Sequence, residues 1–244
     1  TMGRLALVTA VVALQSSLAA GSAEAQTVPP ISLHPENGHY FLWRGKPAVL
    51  VTSAEHYGAV LNLDFDYSRY LDELAARGLN HTRTFSGVYR EIPGSFGITQ
   101  NTLAPQPNRY ACPWLRSDQP GYFDGGNRFD LTQWNPDYFA RLKDFVQQAS
   151  RRAIVVEVTL FCPFYNDELW KASPMHVKNN VNGIGDCPRE EVYTLKHEEL
   201  LNVHLAVTRK IVNELREFDN IYYEICNEPY FGGVTREWQH RIVN

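Results

Sequence analysis

Asn227-Glu228-Pro229 closes an apolar run, Asn220 to Cys226, that reads as a β-strand, with Tyr230 and Phe231 immediately after it. Glu228 would then stand at the carboxyl-terminal rim of a sheet. A carboxylic acid held there against apolar walls can donate a proton near neutral pH, because desolvation disfavours its charged form. Cleavage of a glycosidic bond is one reaction that needs such a donor beside the leaving oxygen, together with a second carboxylate to attack the anomeric carbon. Asn227 offers an amide for a ring hydroxyl, and Tyr230 a flat face on which a ring can stack. Alone, the tripeptide is equally a turn after a strand, with the carboxylate capping it.

Other residues with chemical potential fall at comparable places. Arg83 sits in a second strand-like run, where it can face a site or form a buried pair with Glu157. His56 and Tyr57 follow a first strand-like run; they either line a pocket or, for His56, bond a loop backbone. His81 shares a face with Arg83 by strand alternation and is read as structural. Trp114, Tyr122, Phe123, Tyr165 and Trp170 occur in long connections, where aromatics either stack on ligand rings or pin the loop down. Cys112, Cys162, Cys187 and Cys226 show no Cys-x-x-Cys spacing, so no metal site is expected; a Cys112–Cys187 bridge and free buried thiols both remain open.

The elements that must carry these residues alternate. Ile31 to about Pro47 reads as a hairpin turning at Asn37-Gly38. From about residue 48 an α/β unit follows, with strands at Ala48 to Thr52, Asn80 to Phe85, Ala153 to Leu160 and Asn220 to Cys226. Helices are expected over Asp66 to Arg77, with Tyr67, Tyr70, Leu71, Leu74 and Ala75 on one face, from Asn135-Pro136, from about Glu191 to Glu217, and from Thr235 onward. Long loops run from Ser86 to about Trp134 and from Cys162 to Glu190. Strand and helix in alternation imply a parallel sheet, either a barrel or an open doubly wound layer. Ser53-Ala-Glu-His-Tyr-Gly58 lacks the dinucleotide-binding glycine pattern, so no such cofactor is expected. Polar residues at successive strand ends favour a (β/α)8 TIM barrel, represented here by about its first four units.

On Asn227-Glu228-Pro229, on Arg83 within Gly-Leu-Asn-His-Thr-Arg-Thr-Phe, and on the lead-in Gly45-Lys-Pro47, the chain resembles the clan A glycoside hydrolases, the superfamily of cellulase-like family 5 enzymes. That resemblance covers roughly residues 31–244. It implies a retaining double-displacement mechanism with Glu228 as acid/base, Asn227 beside the scissile bond and Arg83 near the nucleophile. It also places the nucleophile on a seventh strand, so Glu157, Glu168 and Glu224 are not assigned that role, and the chain alone is expected to be inactive.

Composition agrees with a packed globular domain: 44% of the 244 residues are hydrophobic and 20% charged. A net charge of −4 with scattered cations excludes the basic stripe of a nucleic-acid binder. Arg4, the apolar run Leu5 to Ala20 and Ala23-Glu24-Ala25 read as a secretory leader over residues 1–25, giving a secreted or periplasmic domain from residue 26 that is not held in a membrane. The expected partner is a carbohydrate, with no obligate protein partner. A barrel that binds carbohydrate without cleaving it is the alternative, and a metal-dependent barrel hydrolase a third.

Overall fold

A computed structural model describes residues 29–53 and 56–244. The leader expected over 1–25 lies outside the described residues. The centre is a parallel sheet of β4 (His81–Phe85), β7 (Val155–Phe161) and β8 (Ile221–Cys226), preceded in the chain by three short strands described below. In register, Arg83 pairs with Glu157, Thr159 with Glu224 and Phe161 with Cys226. Every residue of β7 except Glu157 is buried, as expected of a strand covered on both faces.

The helices pack in a rank against one another, α1 (Tyr67–Ala76) on α2 (Pro136–Arg151), α2 on α4 (Glu198–Leu215), and α4 on α5 (Arg236–Val243). Helix α2 begins where its sequence dictates. Asn135 accepts from the amides of Asp137 and Tyr138, and Pro136 occupies the first turn, where its missing N–H costs nothing. Tyr138, Phe139, Leu142, Phe145, Val146 and Ala149 are all buried, as their spacing requires, each large side chain contributing about 1.5–3 kcal/mol. On α1, Leu71 and Leu74 are buried but Ala75 is exposed, so the apolar stripe is narrower than expected.

Several expectations are corrected. Instead of a hairpin tightened at Asn37-Gly38, there are three antiparallel strands, β1 (Ser32–Leu33), β2 (Phe41–Trp43) and β3 (Lys46–Ala48). The two-residue turn is Arg44-Gly45, at φ of 50° and 73°, whereas Asn37 holds a longer loop through its side chain and carbonyl. Beyond β3, Val49 and Val51 are exposed, and the expected strand over Ala48 to Thr52 is an extended segment. Its contact with the sheet runs through Asn80, whose backbone and side chain bond Val49 and Val51, so a strand ladder does not form.

Within the long connection after β4 lies a hairpin, β5 (Trp114–Pro120) with β6 (Asn127–Trp134). Register shifts interrupt its alternation, and Arg116 pins its turn by a two-pronged bond to Asp124 at 2.6 and 3.2 Å. The second connection contains the short α3 (Asp167–Ala172). Helix α4 starts at Glu198 rather than Glu191. The intervening residues fold around Glu191, which binds Lys196 and His197, and bury Tyr193 against Trp238 with ring centroids 4.8 Å apart.

Candidate active site

Parallel register places Arg83, Thr159 and Glu224 in contact across the carboxyl-terminal half of the sheet. Arg83 Nε donates to Thr159 Oγ1 at 3.0 Å, and Nη2 donates to Glu224 and, at 2.9 Å, to Asn227 Oδ1. Glu157 lies 3.4 Å from Arg83 Nε and accepts from the Tyr222 hydroxyl at 2.9 Å. Burial alone would lower the Arg83 pKa, but the Glu224 hydrogen bond and the two neighbouring carboxylates outweigh it and raise the value. For Glu157, burial pushes the pKa upward, and bonding to His81 with the charge of Arg83 brings it below its ordinary value. Arg83 is therefore ion-paired, with Glu157 as the expected partner and Glu224 as a second. It is a half-buried cation between two carboxylates, and it holds the amide oxygen of Asn227.

Glu228 follows in a left-handed conformation, φ 41°, which costs a residue with a Cβ about 1–3 kcal/mol unless its surroundings hold it there. Those surroundings are two phenols: Tyr165 Oη donates to Glu228 Oε2 at 2.6 Å, and Tyr230 Oη donates to Oε1 at 3.2 Å. Asn227 Nδ2 in turn donates to Tyr165 Oη at 2.9 Å. The turn after β8 is closed by the Glu228 backbone carbonyl, which accepts from Phe231 N at 3.1 Å. The side chain is thus not spent on capping; it lines a cavity of about 440 Å³ with Tyr57, Arg83, Glu91, Tyr165 and Asn227.

An aromatic ridge borders this cavity. Phe96 stands edge-on to Tyr165 at 5.4 Å, Tyr165 meets Phe231 at 5.6 Å, and Phe231 meets Tyr230 at 4.8 Å. Phe96, Phe231 and Tyr230 are 59%, 47% and 75% exposed, so apolar ring faces remain open to a ligand.

Of the residues singled out in the sequence, Glu228, Asn227, Arg83, Tyr57, Tyr165 and Cys162 converge on one cavity. Tyr230 reaches the carboxylate from outside it. His56 does not join them; it packs on Phe65 and Tyr70 at 5.0 and 5.1 Å and borders neighbouring cavities. His81 is buried against Tyr222 and Glu157, a structural place. Trp114, Tyr122 and Trp170 are buried and pin their loops, whereas Tyr165 serves Glu228. Sequence reasoning missed Glu91 altogether and gave Tyr165 no bond to the carboxylate, since only long-range folding brings either to Glu228.

All four cysteines are free thiols, so the Cys112–Cys187 bridge is not formed. Cys112 is buried with its Sγ turned to the Trp114 carbonyl, while the Cys187 carbonyl accepts from the Trp170 indole in a different loop. Among the described residues no group of three or more His, Cys, Asp or Glu side chains could hold a metal ion, and no helix is long and apolar enough to cross a membrane.

No protein-family model matches the sequence, and no curated protein matches it. Solved structures do. A protein of Bacteroides vulgatus assigned as a glycoside hydrolase superposes with a TM-score of 0.56 at 14% identity, over 91% of this chain and 37% of its own. A glycoside hydrolase family 5 mannosidase of Rhizomucor miehei superposes with a TM-score of 0.50 at 14% identity, over 83% of this chain and 49% of its own. The chain therefore shares the α/β fold of part of each of these two neighbours and spans less than half of their length.

Proposed function

We propose that the chain carries the acid/base side of a retaining glycosidase active site, acting on an oligo- or polysaccharide outside the cytoplasm. The observation that carries this reading is the Glu228 carboxylate facing a cavity beside Asn227 and Arg83 under an open aromatic ridge. In the first step Glu228 gives its proton to the departing glycosidic oxygen while a nucleophilic carboxylate bonds the anomeric carbon. In the second it takes a proton from the water that displaces that carboxylate. Asn227 holds a sugar hydroxyl beside the scissile bond, Arg83 orders Asn227, and Tyr57 and Tyr230 flank the ring. Metal and cofactor have no part in these steps.

The nucleophile is assigned to no residue of this sequence. Glu157 and Glu224 are committed to Arg83, and Glu168 is an exposed residue of α3 beside Lys171. On this reading the 244 residues bind sugar but do not turn it over unaided. The same commitments suit a barrel that binds carbohydrate without cleaving it. Replacing Glu228 by Gln in the complete enzyme separates the two. Turnover of substrates with poor leaving groups is expected to fall at least about 100-fold, with sugar binding retained. Undiminished turnover removes Glu228 from the acid/base role.

A further inference from the structure

Glu91 is a buried carboxylate on the wall of the Glu228 cavity, and among the described residues no cation lies within ion-pairing distance of it. Its oxygens accept from the Tyr89 hydroxyl at 3.1 Å and from the Asn101 amide, which occupies two of the roughly four positions a carboxylate can fill. Burial raises its pKa, and the bonds from Asn101 and Tyr89 only partly oppose that. An unpaired carboxylate left in a desolvated wall is costly and needs a compensating use.

A second cavity, of about 410 Å³, opens on its other side. It is bordered by His56, Thr99, Gln100 and Thr102, and shares Tyr57, Glu91 and Leu103 with the first. The loop between them is closed at its base by Glu91 N donating to Leu103 O at 2.7 Å. That one loop supplies Phe96 to the ridge beside Glu228 and Thr99 to Thr102 to the second cavity.

We propose that the second cavity is a further sugar subsite, in which Glu91 accepts hydrogen bonds from adjacent hydroxyls of a neutral pyranose ring linked to the one held at Glu228. This rests on the glycosidase reading. Tyr57, common to both cavities, lies between the two rings, and Glu91 sets the preference for chains long enough to reach it. Carboxylates recognise vicinal hydroxyls through paired charge-assisted bonds, and a ring lacking either hydroxyl leaves the buried acceptor unmet.

Calorimetric titration tests this with cello-, manno- and xylo-oligosaccharides in a Glu228→Gln background, which keeps the ligand intact. The affinity gained on lengthening the best ligand from disaccharide to tetrasaccharide is expected to disappear in Glu91→Ala, a loss of about tenfold for the tetrasaccharide. Thr99→Trp, an exposed change that narrows the second cavity, is expected to alter tetrasaccharide affinity and leave the disaccharide within about twofold. Melting curves identify a Glu91→Ala protein that fails to fold, in which case Thr99→Trp decides. Tetrasaccharide binding unchanged in the folded variants overturns the subsite alone. No saccharide binding by the parent protein overturns the glycosidase reading, and the subsite with it.

Discussion

Tyr165 donates a 2.6 Å hydrogen bond to Glu228 and receives one of 2.9 Å from Asn227, so one phenol orients both residues of the Asn-Glu pair. Through Asn227 Oδ1 the connection continues to Arg83, and from there to Glu224. The candidate acid is therefore braced through Tyr165 and Asn227 from the sheet as well as by Tyr230 of its own turn.

Tyr165→Phe should remove that orientation without emptying the cavity. Turnover of poor-leaving-group substrates is expected to fall about tenfold, the worth of one hydrogen bond to a charged group. Substrates whose leaving group needs no protonation should be affected less. Steady-state kinetics on the two substrate classes checks this, and an equal loss on both would falsify the orienting role.

Arg83→Met should destabilise the fold by about 3–5 kcal/mol, because it strands Glu157 and Glu224 in a largely buried place. Urea unfolding measures the change. A loss under about 1 kcal/mol would mean that the two carboxylates find water easily.

Burial pushes the thiols of Cys112 and Cys162 up to about 12 and that of Cys187 up to about 11, with Cys226 also raised. In the native protein alkylation at mildly alkaline pH should reach Cys187 first, since it alone is partly exposed. Unfolding without reductant should release the other three. Mass spectrometry that finds a Cys112–Cys187 disulfide would contradict this arrangement.

His204 is wholly buried against Trp238, Phe161 and Tyr193, and desolvation lowers its pKa to about 3. The unfolded chain takes up that proton near 6.5, so stability is full above this value and is lost as pH falls from there toward 3. The loss amounts to about 5 kcal/mol at the acid end. His204→Asn, which keeps an acceptor for the Trp238 indole, should flatten the fall in melting temperature across that window. An unchanged pH profile would show that His204 protonates freely in the native state.

Much of this was legible in the sequence where local signals and burial agree. Asn135-Pro136 fixes the start of α2, the apolar run of β7 declares a doubly covered strand, and Asn227-Glu228-Pro229 lies at a strand end beside a cavity. Legibility failed where tertiary contacts override local pattern. Residues 49–51 are apolar yet pair with little but Asn80, and the β5–β6 hairpin is obscured by its own register shifts. Glu91 and Tyr165 carry no local signature. Glu91 is far from Glu228 in the sequence, and only the convergence of the loops after β4, β7 and β8 gives either residue a meaning.

The most direct measurement is a crystal structure of the Glu228→Gln protein bound to an oligosaccharide that spans the cavity. A glycosidic oxygen about 3 Å from the side-chain amide at position 228, with Asn227 on a hydroxyl of the adjoining ring, is the predicted result. A saccharide bound elsewhere, or one whose glycosidic oxygens all lie beyond hydrogen-bonding reach of residue 228, would contradict the assignment of Glu228 as proton donor.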